Sequence, residues 1–144
     1  MTYLLDTNVV SEWVKARPNQ GVVSWLAEAD EDRIFLSVCT LAELRYGIAR
    51  MASGARRQRL DAWLSQDLPL RFEGRILPID ATVADTWGLV HERGKSTGRS
   101  IDIIDGFIAA TAEVHQLTVV TRDARVFRGI GASVLDPWRG EQQA

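Results

Sequence analysis

The stretch from Asp102 to Thr121 most constrains the fold. Ile103, Ile104, Phe107, Ile108, Ala109, Ala110, Ala112 and Val114 would put apolar side chains around most of a helix over about 102–116. Leu117-Thr118-Val119-Val120-Thr121 follows directly as a short apolar, β-branched run. A helix with so little polar face must be covered on several sides. A strand apolar at consecutive positions must be covered on both faces. A layered architecture, with the helix lying centrally against a sheet, does both.

The rest of the chain alternates in the same way. Residues 2–5 read as a buried strand, and Val9, Val10, Trp13 and Val14 give helical spacing until Arg17-Pro18-Asn19. A helix over 19–29 and a strand over Ile34–Val38 come next. Thr40 with Glu43 three residues on has the form of a capping box, predicting a helix that starts at Thr40 and stops at Ser53-Gly54. A partner helix over 55–66 would complete a hairpin with arginines along one side. The run 75–80 reads as a strand that Pro78 confines to a sheet edge. Asp80 would cap a helix over 81–93, residues 94–98 read as a loop, and 133–135 as a weak final strand. Strands alternating with helices predict an α/β fold, a three-layer α/β/α sandwich with a mainly parallel sheet. One domain over 1–138 and a polar tail over 139–144 are expected.

A chain of 144 residues with a 46% hydrophobic and 25% charged composition is sized for one globular core. No apolar run approaches the ~18 residues needed to span a bilayer, and no secretory signal pattern is present. Cys39 is the only cysteine, which excludes an internal disulfide and a multi-thiolate metal site. A cytoplasmic protein is expected, with no membrane partner. The net charge of −2 excludes a general polycation, but charge is segregated. Residues 28–32 carry four acids, whereas 45–59 carry five arginines and no acid. That basic face would either track nucleic acid or simply be solvated.

Four carboxylates occupy matching places. Asp6 and Asp123 follow the two most apolar strands, Glu43 opens the helix after the second strand, and Asp105 lies in the first turn of the central helix. In a parallel sheet these positions share the edge where ligands bind. Asp102, three residues before Asp105, is a candidate fifth acid or that helix's N-cap. Clustered carboxylates repel unless a cation neutralises them. A donor set made only of oxygen points to Mg²⁺ or Mn²⁺ rather than Zn²⁺. Such a site suits phosphodiester or phosphomonoester hydrolysis by a metal-activated water. Each acid also has a bland role open to it: Asp6 as an N-cap, Glu43 in the capping box, Asp105 against the helix dipole, Asp123 in a turn.

The blocks Leu4-Leu5-Asp6-Thr7-Asn8-Val9, Thr40-Leu41-Ala42-Glu43-Leu44, Asp105-Gly106-Phe107-Ile108-Ala109-Ala110-Thr111-Ala112 and Thr118-Val119-Val120-Thr121-Arg122-Asp123 resemble the four motif blocks of PIN-domain nucleases. The resemblance is nearest to the toxin half of VapBC-type toxin–antitoxin pairs, including the FitB-like branch, and runs through Asp136-Pro137-Trp138. It implies a PIN-like sandwich with a projecting helical hairpin and a Mg²⁺- or Mn²⁺-dependent endoribonuclease. It also implies a homodimer and a cognate antitoxin, with DNA reached only through that antitoxin. Position by position it implies an acidic catalytic site of Asp6, Glu43, Asp105 and Asp123. Within that set Asp6 and Asp105 match metal ligands, and Asn8 and Thr121 match residues that orient the carboxylates. Two other readings stand beside it. A haloacid-dehalogenase-like phosphohydrolase would need an acid where Asn8 stands and a later lysine, and the chain has only Lys15 and Lys95. A catalytically silent PIN fold would serve as a nucleic-acid- or protein-binding module.

Overall fold

The computed structural model describes residues 1–140. Five parallel strands, β1 (Tyr3–Leu5), β2 (Ile34–Ser37), β3 (Ile76–Leu77), β4 (Thr118–Val120) and β5 (Val134–Leu135), form one sheet in the order β3-β2-β1-β4-β5. β1 is central, with Leu4 opposite Phe35 on one side and Val119 on the other. Alternation along the strands feeds two cores, one on each face. Leu4 and Val119 point to a core closed by α6 (Ala81–Ser96) and α7 (Ile103–His115), with Val83, Val90, Ile108 and Phe127. Leu5, Ile34, Leu36 and Val120 point to the opposite core. That side is closed by α1 (Thr7–Val10), α2 (Gln20–Glu28), α3 (Val38–Ala49), α4 (Ala55–Ala62) and α5 (Leu68–Arg71). The short α8 (Ala124–Arg128) follows β4. The three-layer sandwich read from the sequence is therefore observed.

The apolar stretch that framed the sequence reading lies where expected. In α7, Ile108, Ala109, Ala110 and Ala112 are buried, and Leu117 leads from it into β4. Asp102 caps α7, its Oδ2 accepting from Ile104 N at 3.2 Å. Pro78 does end an edge strand, and Asp80 caps α6 by accepting from Val83 N at 3.0 Å.

Several boundaries differ. α3 begins at Val38, capped by Ser37, whose Oγ accepts from Cys39 N at 3.0 Å. Thr40 is thus buried inside the helix and is not its N-cap. α6 runs on to Ser96, and the residues expected to loop close its C-terminus, where Arg99 N donates to Gly94 O at 2.7 Å. The second hairpin helix continues past Gln66 through a π-turn (Trp63–Asp67) into α5. Pro69 has no N–H for the helical ladder, and its ring clashes with the carbonyl four residues back, which accounts for the widened turn. Of the expected tail, Arg139 belongs to a final 3₁₀ turn (Pro137–Arg139), and 141–144 lie outside the described residues.

Candidate active site

Asp6 follows β1 and is only 4% exposed. Its carboxylate serves two purposes at once. Oδ1 accepts from Thr7 N at 2.8 Å, which caps α1, while Oδ2 accepts from the Thr121 hydroxyl at 2.8 Å. The N-cap role weighed for Asp6 is therefore real, but it engages one oxygen only.

Thr121, at the end of β4, is the hub beneath the site. Besides donating to Asp6, its Oγ1 accepts from Asp123 N at 2.9 Å, which turns the chain so that Asp123 faces back over β1. Asn8 spans the gap from α1. Its Nδ2 lies 3.4 Å from Asp6 Oδ2 and 3.3 Å from Asp123 Oδ2, and its Oδ1 accepts from Arg122 N at 3.3 Å. One amide thus steers two carboxylates whose charges would otherwise push them apart.

Glu43 reaches the site from α3. Its Oε1 accepts from the Thr7 hydroxyl at 2.5 Å, and Thr7 Oγ1 also lies 3.2 Å from Thr40 Oγ1. Glu43 therefore answers to Thr7 across the sheet edge, not to a capping box. Thr7 is the residue that sequence reasoning passed over, although the Asp6-Thr7-Asn8 run placed it at a strand's carboxyl end. Asp105 enters from the first turn of α7. Burial, then the charges of Asp6, Asp102, Asp123 and Glu43, push its pKa up to about 7. Asp6 is also raised, by burial first and by Glu43 and Asp123, against the lowering effect of its bonds from Thr121 and Thr7. All four predicted acids thus face one electrostatic neighbourhood, with Asp102 at its rim. His115 is exposed at the far end of α7.

The chemistry of this donor set fits a hard divalent cation, because every group is oxygen and the neighbouring carboxylates help to raise the pKa values of Asp6 and Asp105. Among the described residues, no three His, Cys, Asp or Glu side chains stand close enough to form a ready ligand cage.

A second buried acid lies beside the site. Glu12 is 3% exposed, accepts from Asn19 N at 2.8 Å and is ion-paired to Lys15. Burial raises its pKa, but the Lys15 and Asn19 hydrogen bonds and the charges of Lys15 and Arg122 hold it below the ordinary value. It is a structural anion, and its turn gave no signal in the sequence.

The chain as a whole is similar to several known proteins. The family model described as PIN domain matches residues 3–132. The chain is 42% identical over 135 residues to Toxin FitB of Neisseria gonorrhoeae, covering 94% of this chain and 97% of that protein. It is 37% identical to VapC ribonuclease Y4jK of Sinorhizobium fredii, covering 94% and 96%. Among solved structures, FitAB bound to an IR36 DNA fragment superposes with a TM-score of 0.93 at 39% identity, covering 98% of this chain and 99% of that one.

Proposed function

The chain belongs to the PIN-domain family, and from that premise we propose that it is a divalent-metal-dependent endoribonuclease, the toxin of a toxin–antitoxin pair. The observation that supports this reading is the linkage of Asp6, Glu43 and Asp123 through Thr7, Asn8 and Thr121, with Asp105 close enough to feel their charge and raised to about 7. Four unrelated capping acids would have no reason to destabilise one another's charge.

In this reading Asp6 and Asp105 hold Mg²⁺ or Mn²⁺, and Glu43 and Asp123 complete the acidic catalytic site. The ion, when bound, supplies the charge that screens a phosphodiester and acidifies a water for attack. The chain's own residues do the rest. Thr121 and Asn8 fix Asp6 and Asp123 before substrate arrives, so little reorganisation is left for the reaction. Thr7 does the same for Glu43. A phosphohydrolase of the haloacid-dehalogenase kind is disfavoured, because the position two after Asp6 is an amide engaged in orienting Asp6 and Asp123. The protein would work in the cytoplasm as a homodimer, silenced by an antitoxin. DNA would be reached through that partner, in keeping with the likeness to the DNA-bound FitAB complex.

The test is cleavage of a mixed RNA pool by purified protein, with and without Mn²⁺, beside Asp6→Asn and Asp105→Asn. Cleavage should require the ion and be lost in both variants, which remain folded. Either variant cleaving within about threefold of the parent, under ~1 kcal/mol in barrier, overturns the site. A parent that binds RNA but never cleaves it would leave the silent binding module.

A further inference from the structure

Beside the acids lies a groove of about 610 Å³ with the opposite charge. Its lining includes Arg99, Arg122, Arg125, Arg128 and Arg139, against two aspartates, Asp123 and Asp136. These arginines come from four separate segments. Arg99 stands just after α6, Arg122 in the turn after β4, Arg125 and Arg128 on α8, and Arg139 in the final 3₁₀ turn. Arg122, Arg125 and Arg128 recur every three residues, and all five are exposed.

Local contacts aim the groove. Arg122 lies with its guanidinium 5.5 Å from the Trp138 ring centre, a cation–π contact that helps to place it. Arg99 is anchored at its main chain to Gly94 O and crosses to the end of α8. There a Cβ on Gly129 would stand 2.8 Å from its Cδ and Nη1, so the glycine makes the room in which Arg99 lies. Asp123 belongs to the groove wall and to the acidic site alike, so the groove adjoins the site at that carboxylate.

We propose that this groove is the track for the single-stranded RNA backbone leading to the acids, read through phosphates and not through bases. The proposal rests on the ribonuclease reading above. Arginine forks match phosphate oxygens bidentately. Base recognition in single strands relies on aromatic platforms, and the lining contains no Phe, Tyr or Trp. An acidic protein segment would match the arginines as well, but the ribonuclease reading supplies RNA as the chain to be led to Asp123. The arginines of 45–59 are not the track, three of the five being engaged within their own hairpin. Arg45 is held by Asp61 at 2.7 Å and Ser65 at 3.0 Å, Arg57 donates to Met51 O at 3.0 Å, and Arg50 lies over Tyr46.

The experiment measures binding of single-stranded RNA oligonucleotides of different sequence against KCl, in EDTA and in an Asp6→Asn background. Arg125→Gln/Arg128→Gln should lower the slope of log affinity against log salt by roughly 1.4, at ~0.7 per lost phosphate contact, equally for each oligonucleotide. Arg56→Gln/Arg59→Gln on α4 should leave it unchanged. In the otherwise native chain with Mn²⁺, the α8 pair should raise KM and spare kcat. Arg99→Gln, in a different segment, should reproduce half of the slope change even if the α8 pair folds poorly. An unchanged slope in both groove variants overturns the track, as does a loss confined to antitoxin binding. A parent that shows the groove-dependent slope but cleaves no RNA overturns the ribonuclease reading and leaves the track standing.

Discussion

With its pKa raised to about 7 by burial and by Asp6, Asp102, Asp123 and Glu43, Asp105 keeps a proton in the folded state that the unfolded chain releases near 3.8. Between those values the native state binds more protons than the unfolded one, so raising pH through the window lowers stability. Asp6 is raised too and acts in the same direction. In EDTA, urea unfolding should therefore show the protein losing stability from pH 5 to pH 8. Asp105→Asn should flatten that decline and be the more stable protein at pH 8. A parent that grows more stable across this window would show that neither burial nor the neighbouring acids raise Asp105. At this scale the sequence was largely legible. An acid just after an apolar strand can be placed at a sheet edge from the pattern alone, and Asn8 and Thr121 hold the carboxylates they were expected to orient. For Glu43 the capping-box alternative fails, because α3 starts at Val38 and the Glu43 carboxylate accepts from the Thr7 hydroxyl. Ser37 and Thr40 are both good caps, and deciding between them required knowing that β2 ends one residue earlier than its apolar run suggests.

Helix α7 presents Asp105 correctly only if it packs tightly on α6, and Gly106 sets that approach. A Cβ there would intrude on the His91 ring and stand 3.0 Å from Trp87 Nε1. Those rings are 3.9 Å apart, and Trp87 Nε1 donates to Ile103 O at 3.2 Å, so neither yields freely. Alanine for glycine inside a helix would ordinarily stabilise by ~1 kcal/mol. Overpacking at such a contact costs about 1–3 kcal/mol, so the clash should win. Gly106→Ala should be destabilised in urea by up to about 2 kcal/mol, the difference of those two effects. Adding His91→Ala should restore part of the loss, a coupling expected of neighbours in contact. Additive effects of the two substitutions would mean that the clash lies elsewhere. None of this could be read from the sequence, where Gly106 is simply a glycine beside an acid. Helix types and order were legible because their apolar periods are strong. Ends were not, since the π-turn near Pro69, the extension of α6 to Ser96 and the short α8 depend on packing that local pattern does not encode.

Across the whole molecule, the four acids come from the ends of β1 and β4, the second turn of α3 and the start of α7, so they join segments from residue 6 to residue 123. An ion held there would act on the global unfolding equilibrium, because the unfolded chain cannot gather those ligands. Mn²⁺ at a hundredfold excess over its dissociation constant should stabilise the parent by ~2.7 kcal/mol. For a chain of this size that is roughly 5–10 °C in Tm, at ~2–4 °C per kcal/mol. Asp105→Asn should melt at or above the parent in EDTA, since one repelling charge has been removed, and Mn²⁺ should scarcely move it. Four independent capping acids predict the reverse. Loss of the first-turn carboxylate would then cost about 0.3–1 kcal/mol in EDTA, and Mn²⁺ would leave both proteins unchanged. The two patterns have opposite signs in EDTA and differ by several degrees with Mn²⁺. A parent indifferent to Mn²⁺ alongside a destabilised Asp105→Asn would therefore reduce the acidic edge to helix caps and remove the basis for catalysis there.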